Sequence, residues 1–134
     1  MDMEKAVIVA GVGCKRGAPM QDIETALRTA LKRAGVNASD LGAIATGKTK
    51  QGERGIESVA AKLGVKLMLI PDGELKAAGA RATTRSDRVL AVMGLPSLAE
   101  TAALAAAGPS ARLIVSRLIV GAATCALAAS DAVR

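Results

Sequence analysis

Phenylalanine, tyrosine, tryptophan and histidine are all absent from this 134-residue chain. Without aromatic rings the interior must be filled by Ala, Leu, Val, Ile and Met, which make up most of the 51% hydrophobic content, so helices and strands are expected to pack closely on small side chains. The same absence removes the platforms on which single-stranded nucleic acids stack their bases, and no nucleic-acid partner is expected. Without histidine there is no Ser–His or Cys–His nucleophilic system and no imidazole metal ligand. Chemistry is left to Cys, Lys, Asp, Glu, Ser and Thr. No metal and no cofactor is expected.

Cysteine is scarce too. Cys14 and Cys125 are the only two, and the N-terminal MDMEKAVIVAG carries acidic residues where a signal peptide would carry basic ones, so a reducing cytoplasmic setting is expected. Long apolar runs are also missing. The stretch from Leu113 to Ala129 is interrupted by Arg117 and falls short of the roughly 20 residues that span a bilayer, which points to core strands and to no membrane partner.

What is present is positive charge: 18 Lys and Arg against 12 Asp and Glu, a formal net charge of +6. A basic surface concentrates anionic ligands near it. The cations fall in small groups (Lys15 and Arg16; Lys48, Lys50 and Arg54; Arg81, Arg85 and Arg88) rather than in one run, which fits a folded pocket better than a basic tail. The length sets the expectation of one domain over residues 1–134.

Hydrophobic patterning predicts an α/β fold. Lys5 to Ala10 (KAVIVA) reads as a strand buried on both faces, followed by Gly-Val-Gly. Met20 to Ala34 has Ile23, Ala26, Leu27, Ala30 and Leu31 at helical spacing, acidic residues in its first turn, Lys32 and Arg33 in its last, and Gly35 beyond. Leu41 to Thr46 reads as a second strand, Gly55 to Leu63 as a helix stopped at Gly64, and Lys66 to Ile70 as a third strand. A brief helix is predicted over Glu74 to Ala78, an exposed basic loop over Gly79 to Ser86, and a short fourth strand over Arg88 to Val92. Ser97 and Glu100 have the spacing of a capping box that opens an alanine-rich helix ending at Gly108-Pro109. Leu113 to Ser116 and Val120 to Leu127 are close enough to form a hairpin. The expected architecture has three layers: a mostly parallel, mixed sheet, helices on both faces and a C-terminal strand hairpin.

Two glycine motifs need weighing. Gly42 to Thr49 fits the phosphate-binding pattern G-x-x-x-x-G-K-[ST] letter for letter. Yet Ala43 to Thr46 look like strand, no helix starts directly after Thr49, and a nucleotide cradle needs a loop between strand and helix. A phosphate or nucleotide binder using Lys48 and Thr49 therefore stands as an alternative only. Gly11-Val12-Gly13-Cys14-Lys15-Arg16-Gly17 follows the first strand, but Arg16 occupies the third glycine position of a dinucleotide fingerprint and no acidic residue ends a second strand. The plain reading is a turn that needs glycine. The functional reading is an anion-binding lip at the C-terminal edge of the sheet, where α/β proteins hold ligands. Cys14 beside two cations is a candidate for a lowered thiol pKa and a nucleophilic role, set against an inert thiol; Cys125 reads as core. Lys48 to Arg54 (KTKQGER) is either a solvated loop or the second half of the same lip.

The segment Gly-Val-Gly-Cys-Lys-Arg-Gly after an N-terminal strand resembles the glycine-cysteine signature of CobE and of the CbiG C-terminal domain. Ala45-Thr46 through Lys50, Glu53 and Gly55 resembles the second block of that family, and Glu74-Leu75 and Gly94 to Ala103 resemble its later blocks, in order along nearly the whole chain. The resemblance implies the corrin branch of vitamin B12 synthesis. Its implied ligand is a precorrin or hydrogenobyrinate-like corrinoid bound by Gly11, Gly13, Cys14, Lys15, Arg16, Gly17, Lys48, Lys50, Glu53 and Arg54, with other cobalamin-pathway enzymes as further partners. CbiG proteins open a ring lactone of a cobalt-precorrin, so a hydrolase using Glu53 or Cys14 is the implied alternative to a non-catalytic carrier or accessory factor. Lys48 stands where the family often has an acidic residue and Arg54 where it often has proline. Both make the loop more basic.

Overall fold

A computed structural model describes residues 7–83 and 97–130. Its frame is a five-stranded mixed sheet in the order β3-β2-β1-β5-β4. Strands β1 (Ile8–Cys14), β2 (Leu41–Gly47) and β3 (Lys66–Ile70) run parallel, while β5 (Ala123–Ala129) pairs antiparallel with both β1 and β4 (Arg112–Val120). The parallel strands are joined by α1 (Met20–Ala34) and α2 (Arg54–Leu63); α3 (Asp72–Ala78) follows β3, and α4 (Leu98–Ala107) precedes the hairpin.

Helix α1 occupies the predicted residues because its apolar stripe and both of its ends agree. Ile23, Ala26, Leu27, Ala30 and Leu31 are buried, and Gly35 ends the helix at φ 69°, donating its N–H to Leu31 and Lys32 carbonyls. Gly64 closes α2 in the same way at φ 68°. Glu24 on α1 ties the two helices together through Lys62 at 3.0 Å, and it also pairs with Arg28 one turn on at 2.9 Å.

Strand alternation divides the core into two layers. Ala10, Val12, Ile44, Cys125 and Leu127 face α1 and α2, packing on Ile23, Leu27, Ile56 and Val59. Val9, Ala43 and Ala45 face the other way, toward Leu75 of α3 and Leu98 and Ala102 of α4. Each large aliphatic side chain so buried stabilises the fold by ~1.5–3 kcal/mol.

Among the described residues the first strand begins at Ile8, Lys5 and Ala6 of the predicted strand lying outside them, and it runs further than the sequence pattern predicts, because Gly11 to Cys14 pair with Ala123 to Ala126 of β5. Gly11 and Gly13 are therefore not turn residues. A Cβ on Gly11 would collide with the carbonyl of Ala99 and come within 2.7 Å of the Ala103 amide. The glycine is needed so that α4 can lie directly on the sheet.

The hairpin also shifts. Arg117, which reads as a break between two strands, lies inside the nine-residue β4, and the turn falls at Gly121-Ala122 with Gly121 at φ 55°. Asp22 of α1 holds that turn by accepting the Ala122 N–H at 2.9 Å. The brief helix after β3 begins at Asp72 rather than Glu74, and Gly79–Arg81 forms a 3₁₀ turn rather than open loop. Arg81 donates to the carbonyls of Gly108 and Ala111 at 3.1 and 2.9 Å, closing the end of α4. The predicted strand over Arg88 to Val92, with Arg85, lies outside the described residues. Among the described residues no helix is long and apolar enough to cross a membrane.

Candidate functional site

Parallel strands end on one side of a sheet, and the loops that follow them share that edge. After Cys14, at the end of β1, the chain turns through Lys15 to Pro19: Ala18 donates its N–H to the Lys15 carbonyl at 3.1 Å and Gly17 sits at φ 72°. After Gly47, at the end of β2, Lys48–Lys50 make a 3₁₀ turn, Gly52 takes φ 89°, and α2 begins at Arg54. Two contacts bring these loops together. Glu53 Oε1 accepts the Gly17 N–H at 3.0 Å. Gly55, in the first turn of α2, is buried so closely that a Cβ would lie 2.7 Å from the Ala18 carbonyl and 2.8 Å from Ile23 Cδ1.

Between the loops lies a shallow cleft of ≈ 400 Å³ lined by Arg16, Gly17, Ala18, Gly52, Glu53, Arg54 and Gly55. Lys15, Arg16, Lys48 and Arg54 are exposed and Lys50 is half-buried. Two of the cationic groups of the sequence thus contribute one arginine each to the rim of the same cleft. Such a rim can hold and orient an anion through charge-assisted hydrogen bonds.

Cys14 is half-buried at the base of this edge. Burial pushes its thiol above the ordinary value; Lys50 pulls it down and Glu53 adds to the rise. Of the two readings of this thiol, the raised value fits the inert one, since desolvation outweighs the pull of Lys50. Cys125 is fully buried in the core as expected, with its thiol pushed up to about 12.

Among the predicted site residues, Cys14, Arg16, Gly17, Lys50, Glu53 and Arg54 come together at this edge, with Lys15 and Lys48 exposed on the same two loops. Gly11 and Gly13 do not reach the rim; both lie buried within β1, where Gly13 packs against Thr124 and Leu98. Three contributors lie outside the predicted set of ligand-binding residues. Thr46 is fully buried and donates its hydroxyl to the Val12 carbonyl at 2.6 Å, fastening the end of β2 to β1 beneath the cleft. Gly52 and Gly55 shape the second lip, Gly52 at φ 89° and Gly55 by its close approach to Ala18.

The nucleotide-loop reading is not favoured by this geometry. Gly42 to Gly47 are strand residues, Lys48 and Thr49 enter a 3₁₀ turn, and α2 starts only at Arg54. Ala43 to Gly47 therefore form strand where such a motif needs an open loop, and no helix N-terminus follows Thr49 directly. A dinucleotide loop is equally missing, since β1 continues through Gly13 and Cys14.

The structure is an α/β domain with exposed cations on the loops that follow the C-terminal ends of its parallel strands. The chain belongs to the cobalamin synthesis G C-terminus family, which matches residues 8–128. It is 33% identical over 129 residues to Protein CobE of Sinorhizobium sp, covering 96% of this chain and 84% of that protein. The crystal structure of CobE, a protein of the cobalamin (vitamin B12) biosynthetic pathway, superposes with a TM-score of 0.91 at 28% identity, covering 100% of this chain and 98% of that one. The cobalamin biosynthesis protein chiG of Agrobacterium tumefaciens str. C58 is 39% identical with a TM-score of 0.74, covering 93% and 99%. This is a cobalamin biosynthesis protein.

Proposed function

We propose that the cleft between the Lys15–Pro19 and Lys48–Arg54 loops binds a carboxylate-rich precorrin or hydrogenobyrinate-type intermediate, and that the protein acts as a carrier or accessory factor in the pathway. The observation that carries this reading is the placement of Arg16 and Arg54 on one cleft, flanked by Lys15, Lys48 and Lys50. Corrin precursors bear a ring of acetate and propionate groups. A rim of several separated cations matches several carboxylates at once, whereas a single phosphate would call for one focused cradle. The ring face, with no aromatic side chain available, meets glycine backbone and aliphatic groups.

A non-catalytic role is favoured by the state of the two candidate catalytic groups. Cys14 has a thiol held above its ordinary pKa, which disfavours the thiolate that a nucleophile needs. Glu53 has one carboxylate oxygen on a backbone amide.

Gel filtration of the protein with hydrogenobyrinic acid, and separately with ATP and Mg²⁺, tests the reading. Co-elution of the pigment without ATP is expected. Retention of ATP and loss of the pigment would overturn it.

A further inference from the structure

We propose that Glu53 is a positioning residue, a strut whose carboxylate fixes the two lips of the cleft relative to each other and does not itself meet the ligand. The inference rests on the proposed corrinoid reading of the same cleft. Glu53 stands at the N-cap position of α2, where a side chain ordinarily accepts from the free amides of its own helix. It makes no such bond. Its Oε1 instead crosses to the other loop, 36 residues away in sequence, and accepts the Gly17 N–H at 3.0 Å.

Both ends of the strut are informative. The Glu53 backbone is fixed, its N–H bonded to the Lys50 carbonyl at 3.1 Å and its carbonyl accepting the Glu57 N–H at 3.2 Å. Gly17 is not fixed by packing: it is exposed, sits at φ 72°, and no atom outside its chain neighbours lies within 4 Å of where its Cβ would be. The bond to Glu53 therefore supplies what packing does not, and it sits directly between the two arginine-bearing segments. The charge of Glu53 works against an anionic ligand. A carboxylate in a cationic rim needs a purpose other than attraction, and holding the amide is one that the geometry displays.

Charge and hydrogen bonding separate cleanly in two variants. Glu53→Gln keeps a carbonyl oxygen that can accept from Gly17 and removes the charge; Glu53→Ala removes both. Amide hydrogen exchange at Gly17, followed by NMR on the ligand-free proteins, is expected to stay slow in E53Q and to accelerate at least tenfold in E53A. Equilibrium dialysis against hydrogenobyrinic acid is expected to show E53Q binding within about twofold of the parent, or tighter, and E53A at least fivefold weaker. Equal weakening in E53Q and E53A would overturn the strut, because the charge would then be what counts. Unchanged affinity in E53A with accelerated Gly17 exchange would overturn it as well. Absence of pigment binding by the parent protein would sink the corrinoid reading instead, and Gly17 exchange in the three ligand-free proteins would still decide whether Glu53 holds the lip.

Discussion

Glu100 accepts the backbone N–H of Arg117 at 2.8 Å, at the point in β4 where its register against β5 shifts. The ladder is broken there between Val115 and Leu118, and the carboxylate of α4 takes an N–H that the irregular pairing releases. The same carboxylate accepts the Thr83 N–H at 2.8 Å, so one fully buried acidic side chain links α4, the segment after α3 and the edge strand. Only half of the capping box read from Ser97 and Glu100 is thereby borne out: Ser97 Oγ accepts the Glu100 N–H at 3.2 Å, while the Glu100 side chain serves tertiary contacts.

Glu100→Ala removes this acceptor and leaves the Thr83 and Arg117 amides without it. Hydrogen bonds to a charged group contribute ~1.5–3 kcal/mol each, so E100A is expected to lose at least ~3 kcal/mol, read as a lower urea midpoint. Ser97→Ala, which removes only the cap, is expected to cost ~1 kcal/mol. Equal losses in the two variants would mean that capping is the whole role of the pair.

Gly11 bears on the packing of α4. A methyl group there meets main-chain atoms of Ala99 and Ala103, which cannot rotate away as a flexible side chain would. Gly11→Ala is expected to destabilise by ~1–3 kcal/mol, with Gly11→Val at or beyond the upper end. Gly17→Ala puts no atom into contact and is strained only by its positive φ, so ~1–2 kcal/mol is expected for that change. A denaturation series in which G17A costs more than G11V would contradict the packing account.

The two thiols give a pH dependence with a defined sign. Cys125 is neutral in the folded core, with its pKa pushed up from 9.0 to about 12. Between those values the unfolded chain releases a proton that the folded chain retains, so the stabilising difference is complete below pH 9 and is lost as pH rises toward 12. No tyrosine adds to this alkaline limb. The drop in urea midpoint between pH 8 and pH 10.5 is expected to be smaller in Cys125→Ala than in the parent protein, and an identical drop would contradict the assignment. In the native protein at pH 8, a disulfide reagent is expected to label half-buried Cys14 slowly and Cys125 only on unfolding.

Most of this fold is legible in the sequence, and the exceptions share one cause. Helices α1 and α2 and strand β3 carry complete local signals: periodic apolar residues, charges suited to the helix ends, and Gly35 or Gly64 at the stop. The extent of β1 is not local. Gly11 and Gly13 read as turn residues because the reason for a glycine there, the approach of α4 from nearly ninety residues away, is invisible along the chain. Arg117 misled in the same manner, since its amide is satisfied by Glu100 and not by a strand partner. For the site, the two cationic groups could be seen from composition, but the bond from Gly17 to Glu53 that unites their loops could not. The sequence leaves the state of the Cys14 thiol open because its chain neighbours are cations, while burial, which decides it, is set by the fold.

Joint action of Arg16 and Arg54 on a polycarboxylate is the core of the proposed function. Its most direct test is equilibrium dialysis of hydrogenobyrinic acid against the parent protein and Arg16→Ala/Arg54→Ala at two salt concentrations, read by pigment absorbance, to which a chain without aromatic residues contributes almost nothing. The double variant is expected to bind at least tenfold more weakly, from losing charged contacts of ~1.5–3 kcal/mol each, and salt is expected to weaken the parent more than the variant. Equal affinity and equal salt dependence in the two proteins would contradict it.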